Sequence, residues 1–442
     1  MVPATPNQPI PLEPQNRSRW SIVALLMALC FISHMNRVSM SVAGNQRIME
    51  QFGFSTTQMG AVYSAFLFVY TICMIPGGWF IDRFGPRVAL ATMGFGSAIF
   101  GALTGTVGFG FVLSGHALLT FVLIRGLMGV MTTPLHPGCA RSVNLWVPLP
   151  QRSLANGLVN GAALLGIACT YPAFGALIDA IGWPRAFFVT AGCTALFTGV
   201  WVWYSTDRPE QPTTVNETER ELQLDFVEGT GTMATASVSW SALLRNRSLL
   251  LLTLSYAAVG YFQYLFFYWM QYYFEQVLHL GKTASQFYAS LPALAMAVGM
   301  PVGGLISDRL QRAYGYRLGR AIVPIAGLLA SAAFLLLGIF AKQPVWIVTW
   351  FSLALGVMGA SEGPFWSTAV ELGRKRGGMA AAIMNTGGNG GGMLAPVLTP
   401  WVSAHFGWPI GISLGAVVCL IGALCWGWID PNERIDDEKP VT

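Results

Sequence analysis

Gly77-Gly78-Trp79-Phe80-Ile81-Asp82-Arg83 closes one apolar stretch of the chain, and Gly303-Gly304-Leu305-Ile306-Ser307-Asp308-Arg309 closes another, 226 residues later. Gly182-Trp183-Pro184 returns as Gly407-Trp408-Pro409 at an offset of 225, and Asn156 and Asn160 return as Asn385 and Asn389 at an offset of 229. Three similar offsets in the same order describe two homologous halves in parallel. Parallel halves of this kind place a substrate site at their interface near the bilayer midplane, and rocking about that site gives alternating access.

The apolar stretches are membrane spans on composition alone. Of 442 residues, 54% are hydrophobic and 10% are charged, against about 25% charged in a soluble domain. The mean hydropathy is +0.54. Twenty acids and 25 bases do not cover the surface of a soluble protein this long, which excludes a soluble enzyme, a nucleic-acid binder and a disordered chain. A hydrocarbon core of ~30 Å needs ~20 apolar residues per helix. Windows between charge and Pro/Gly breaks predict twelve spans, near 20–43, 58–80, 88–108, 113–140, 154–178, 185–205, 249–273, 284–306, 320–341, 345–370, 378–402 and 407–429. The expected fold is an all-α membrane protein with twelve transmembrane helices in two pseudo-symmetric six-helix bundles. The bundles occupy 20–205 and 248–429, joined by a polar cytoplasmic linker, 206–247. Residues 1–19 form a proline-rich disordered tail and 430–442 a second cytoplasmic tail.

The bases set the orientation. With the N-terminus inside, 19 of the 25 fall in cytoplasmic segments and four (Arg47, Arg185, Lys282 and Lys342) on the opposite side, which follows the positive-inside rule. Both termini are therefore expected in the cytoplasm, with the chain in the cytoplasmic (inner) membrane. The seven cysteines lie in apolar stretches without a CxxC pair, and the five histidines form no metal-binding cluster. No metal, cofactor or catalytic residue is expected.

Two bases remain inside spans: Arg37 in the first and Arg125 in the fourth. A mid-membrane arginine costs a few kcal/mol on insertion scales, so it faces a cavity or a partner. A guanidinium offers a planar fork that matches a carboxylate, and two of them in one cavity suit a mono- or dicarboxylate. The alternative is neutralisation by internal carbonyls or an acid. Glu362 is the acid well inside a span. It is a candidate proton carrier, since burial makes a carboxyl harder to ionise, or else a partner for an arginine or a helix–helix tie. His34 lies three residues before Arg37 on the same face, and His136 holds a place in the first half similar to that of Glu362 in the second. Both histidines are proton candidates weighed against packing roles. Asn385 and Asn389 share a helix face suited to substrate hydroxyls or to interhelical hydrogen bonds, and Tyr264 and Tyr268 are candidates for the cavity wall. Asp82, Arg83, Arg87, Asp308 and Arg309 are expected at the cytoplasmic gate as state-stabilising charge pairs.

Gly78-x-x-x-Asp82-Arg83-Phe84-Gly85-Pro86-Arg87 resembles the loop 2–3 signature of the major facilitator superfamily, and the echo after span eight is also typical. Asn36-Arg37-Val38-Ser39-Met40-Ser41-Val42-Ala43, Arg125 and Ser361-Glu362-Gly363-Pro364-Phe365-Trp366 resemble its anion:cation symporter branch, which includes galactonate and hexuronate transporters and sialin. The resemblance implies the major facilitator fold and links Arg37 and Arg125 to anion binding. Proton-coupled members of that branch usually carry an Asp before the first arginine and a Glu seven residues after the second; here those positions are Asn36 and Thr132. The proton route is then carried by Glu362, His34 or His136, another ion is coupled, or the protein is a uniporter or exchanger. The expected function is secondary transport of a small organic anion, a sugar acid or other hydroxylated carboxylate, coupled to protons. Its partners are that anion, a proton or other ion and the lipid bilayer, with no nucleic acid, and the chain acts as a monomer. An exporter of amphipathic compounds is the alternative, although two bases and one acid suit cationic cargo poorly. An integral membrane enzyme would need a catalytic cluster, and a sensor a larger cytoplasmic domain.

Overall fold

A computed structural model of the protein describes residues 16–206, apart from 55 and 111–113, and residues 240–430. The expected tails up to residue 15 and from 431 onward lie outside the described residues, as does the linker over 207–239. The first half comprises α1 (Asn16–Ala43), a short α2 (Met49–Phe52), α3 (Thr56–Ile72), α4 (Met74–Gly108), α5 (Ala117–Thr132), α6 (Leu135–Trp146), α7 (Arg152–Ile181) and α8 (Trp183–Tyr204). After α9 (Trp240–Arg245), the second half comprises α10 (Arg247–Tyr272), α11 (Lys282–Tyr314), α12 (Tyr316–Phe340), α13 (Pro344–Gly359), α14 (Glu362–Gly373), α15 (Gly377–Phe406) and α16 (Trp408–Trp428).

Among the described residues, ten helical stretches are long and apolar enough to cross a membrane. The arrangement is consistent with twelve passes. Helix α3 continues through hydrogen bonds across Cys73 into the start of α4, α4 bends at Gly85, and the glycine-rich α15 is 30 residues long. The pairs α5–α6 and α13–α14 each form one broken pass. Large apolar side chains cover the outside, including Trp203 at 83% and Phe340 at 78% exposure, as lipid contact requires and water forbids.

The repeated glycines have a backbone reason. Gly85, Gly182, Gly315 and Gly407 each join two successive helices with φ between 80° and 87° and ψ between 152° and 171°. That region belongs almost wholly to glycine. It lets one helix end and the next begin within a single residue. In both Gly-Trp-Pro motifs the proline then occupies the first turn of the new helix, where its missing N–H is not needed.

The halves are fastened by two matching caps. The Asp82 carboxylate accepts the Gly378 and Met379 N–H groups, both at 2.9 Å, at the start of α15. The Asp308 carboxylate accepts the Ser153 and Leu154 N–H groups, at 3.2 and 2.9 Å, at the start of α7. Each acid thus satisfies the free donors of a helix in the other half, and its charge meets the positive end of that helix. Close backbone approach is a condition of both. A Cβ on Gly78 would lie 2.8 Å from Met379 Cα, and one on Gly304 would lie 2.7 Å from Leu154 Cα.

Three expectations change. Helix α1 begins at Asn16, inside the expected tail. The end of the expected linker carries α9, whose Leu243 is buried with Leu249 and Met379. Helix α12 begins at Tyr316, so Arg320, expected in a cytoplasmic segment, lies inside a helix with no exposed surface.

The caps predict a local effect. Asp82→Ala frees the Gly378 and Met379 amides, so deuterium exchange over 377–382 should rise roughly fivefold for a cap of ~1 kcal/mol, while 152–156 changes less. Asp308→Ala should show the reverse pattern. Unchanged exchange in both segments would contradict the interlock.

Candidate functional site

Arg37 on α1 and Arg125 on α5 meet on one aromatic ring. Their guanidinium carbons lie 5.2 and 4.9 Å from the centre of Phe66, and Arg37 is also 5.7 Å from the Tyr70 ring. Arg125 Nη2 donates to the Arg37 carbonyl at 3.0 Å and Nη1 reaches Met128 Sδ at 3.3 Å, while Nε is buried without a hydrogen-bond partner. Among the described residues no carboxylate lies within 4.0 Å of either guanidinium. Neither guanidinium is neutralised by an acid among the described residues, Arg125 meets a backbone carbonyl, and of the two only Arg37 lines the cavity beside Phe66. Across the interface, Tyr264 of α10 faces Arg37. Tyr268 stacks on Tyr264 at 5.8 Å, is 52% exposed, and stands near Arg37 as well.

The cavity between these groups is narrow, lined by His34, Arg37, Phe66, Tyr70, Thr132 and His136. A larger groove on the apolar exterior, with Phe95 and Ile99 exposed in it, touches Arg87 but none of the candidate ligand residues.

The asparagines divide their roles. Asn385 Nδ2 donates to the Tyr70 hydroxyl at 3.4 Å, and Asn156 Nδ2 donates to Ser367 Oγ at 3.1 Å. Both bonds join the halves. Asn389 Nδ2 is buried without a partner, which leaves it as the free amide donor of the pair. Where the resembled branch carries acids, Asn36 donates to Thr194 Oγ1 at 2.7 Å, and Thr132 donates to the Met128 carbonyl of its own helix.

His136 and Glu362 stand just after the two helix breaks, at the starts of α6 and α14. The His136 Nε2 atom is 3.4 Å from His34 Nε2, and its Nδ1 is 3.0 Å from Asn160 Oδ1. The His136 ring stacks on Trp366 at 5.5 Å. Trp366 Nε1 donates to Glu362 Oε2 at 3.1 Å, joined there by the Tyr256 hydroxyl at 2.9 Å, and Gln263 Nε2 reaches Oε1 at 3.4 Å. Glu362 makes no ion pair among the described residues. The three expected proton candidates thus lie along one chain of contacts across the interface.

The gate residues act differently from simple charge pairs. Asp82 and Asp308 cap helices, and Asp308 also lies 3.7 Å from Arg320. Arg87 donates to the Val202 carbonyl at 2.6 Å within its own half, while Arg83 and Arg309 are exposed. A buried network at this end went unread in the sequence. Glu371 lies 3.2 Å from Arg320 and 3.5 Å from Arg152, and it accepts the Tyr316 hydroxyl. Arg320 also donates to Ser153 Oγ. Arginines near span ends look like loop residues, so no signal distinguishes these two before the helices are placed.

Comparison with known proteins gives the context. The model of the Major Facilitator Superfamily matches residues 26–372 and 313–441. The chain is similar to the probable sulfoacetate transporter SauU of Cupriavidus necator, with 29% identity over 96% of this chain and 97% of that one. It is similar to the D-galactonate transporter of Escherichia coli O6:H1, with 27% identity over 95% and 97%. A probable L-galactonate transporter of Escherichia coli K12 is 30% identical over 73% and 69%. Among solved structures the chain is similar in fold to the proton:xylose symporter XylE, with a TM-score of 0.71, 16% identity, and coverage of 94% of this chain and 97% of that one.

Two guanidiniums against one ring, without a carboxylate partner among the described residues, carry a cost in stability. Replacing such a group by an apolar residue of similar volume is often neutral or stabilising. Arg125→Met is therefore expected to keep or raise the thermal unfolding midpoint of the purified protein. A clear drop would assign Arg125 a structural role instead.

Proposed function

This chain belongs to the major facilitator superfamily, a family of membrane transporters, and from that membership we propose that it carries a small organic anion across the cytoplasmic membrane by alternating access, coupled to protons. The observation that carries the proposal is the pair Arg37 and Arg125: two guanidiniums against the ring of Phe66, that of Arg125 buried and that of Arg37 half-buried, without a carboxylate within 4.0 Å among the described residues. Such a pair is completed by a bound anion. The anion is a sugar acid or another hydroxylated carboxylate. The unpartnered Asn389 amide meets a hydroxyl, and Tyr264 closes the site from the second half. The relatives named for sulfoacetate and galactonate transport bear on the same chemistry. The two bundles, 20–205 and 248–429, rock about this site, and the caps on α7 and α15 hold it shut at one end. The 19-to-4 distribution of bases supports cytoplasmic termini.

The test is uptake into proteoliposomes of labelled D-galactonate, D-glucarate and sulfoacetate, with and without an inward proton gradient. At least one acid should accumulate when the gradient is applied. Arg37→Ala and Arg125→Ala should each reduce its uptake at least roughly tenfold, the loss of one charge-assisted hydrogen-bond pair, with the protein still inserted and monodisperse. Uptake at the wild-type rate by both variants would refute the site. Uptake indifferent to the gradient would favour exchange or uniport.

A further inference from the structure

His34 and His136 come from helices 102 residues apart, yet their Nε2 atoms face each other at 3.4 Å and their rings meet edge to face at 5.1 Å. The partners at the far ends decide which nitrogens carry hydrogen. His34 Nδ1 lies 3.0 Å from the Cys30 carbonyl, which only accepts, so this nitrogen donates. A neutral His34 then presents a bare Nε2, and His136 Nε2 must donate to it. The remaining contact is His136 Nδ1 with Asn160 Oδ1 at 3.0 Å, also an acceptor. With both rings neutral, two lone pairs face each other there. One added proton, on His136 Nδ1, satisfies every contact in the chain. Loss of that proton is matched by rotating the Asn160 amide, so that its NH₂ group donates instead.

We propose that His34 and His136 form a single protonation site that carries the coupled proton, with Asn160 as its positioning residue. The site holds one proton for two rings, and the turning amide reports its occupancy.

Its surroundings give it a coupling sense. The groups facing the pair are Cys30 and Arg37 on α1, Cys139 on α6 with its thiol 3.7 Å from that of Cys30, and Tyr70 on α3, while Arg125 on α5 stands behind Arg37 on the ring of Phe66. From the second half come Tyr264 beside Arg37 and, through Trp366, Glu362 with Tyr256. Donors from three side chains converge on the two Glu362 oxygens and hold that carboxyl in place beside Trp366. The proton on the pair adds a positive charge beside Arg37 and Arg125. An anion on those guanidiniums offsets it, so proton and anion each favour the binding of the other, to an equal degree. This last step rests on the proposed anion transport; the shared proton does not.

The experiment is ¹⁵N NMR of the full-length protein labelled at its five histidines, in lipid nanodiscs, between about pH 5 and 8. His34→Gln and His136→Gln supply the assignments. The expected result is uptake of one proton by the two rings together, with their signals moving in concert, and loss of that concerted change in either variant. Asn160→Leu leaves both rings in place and should weaken proton affinity roughly tenfold. Two rings that stay neutral throughout, or that titrate independently of each other and of Asn160, would overturn the proposal whether or not any anion is carried. For an acid found to bind, wild-type affinity should rise at least roughly fivefold on acidification, and either histidine variant should flatten that dependence. A wild-type slope in both variants would also overturn it.

Discussion

The two carboxylate caps are the constraint on which the rest of the structure depends. Each half supplies one acid and one helix start, so the contact is made twice, Asp82 to α15 and Asp308 to α7. A cap needs backbone amides within hydrogen-bond distance of a carboxylate, and helices cannot approach that closely over bulky side chains. The glycines at 78, 304 and 378 follow from that requirement. The two caps are not electrostatically alike: Asp308 also pairs with the buried Arg320 at 3.7 Å, so releasing that cap separates two opposite charges as well as freeing two amides.

Further along the same interface the electrostatics reverse. At the capped end, the positive charges of Arg152 and Arg320 are met by Glu371 and Asp308. At the cavity, Arg37 and Arg125 meet aromatic faces and a carbonyl. A cation–π contact supplies ~0.5–2 kcal/mol, less than the few kcal/mol that a buried arginine costs in the membrane. An anion about 4 Å from a guanidinium contributes ~4 kcal/mol at an effective dielectric constant near 20. The aromatic contacts alone therefore do not offset the cost of the two charges, a shortfall that the proposed anion would cover.

How much of this was legible depended on whether a residue contradicted its local pattern. Arg37, Arg125 and Glu362 contradict an apolar span, which makes them visible in the sequence, and each lies in a helix of the structure. Gly182 and Gly407 were visible as a repeated motif, although their positive φ, the reason for the motif, emerged only with the backbone. Arg152 and Arg320 agree with the pattern of a span end and so concealed their burial. Asn385 and Asn389 share one face as their spacing required, but spacing does not say that one bonds Tyr70 across the interface while the other lacks a partner. The meeting of His34 with His136 was beyond reach for the same reason: helical periodicity relates residues three or four apart and is silent about a neighbour on another helix.

That meeting bears on the two positions where the resembled branch carries acids. An acid beside an arginine neutralises it when ionised, and protonation releases the arginine for the anion. A histidine pair reaches the same end from the other side: without its proton it is neutral and leaves the arginines repelling each other, and with it the cavity holds one positive charge more. In both designs acidification raises the positive potential that an anion meets, so the direction of coupling is kept while the charge of the titrating group is inverted. Asn36 and Thr132 are tied to Thr194 and to the Met128 carbonyl, and the proposed titratable pair stands two residues back along α1, at His34, and on α6, at His136.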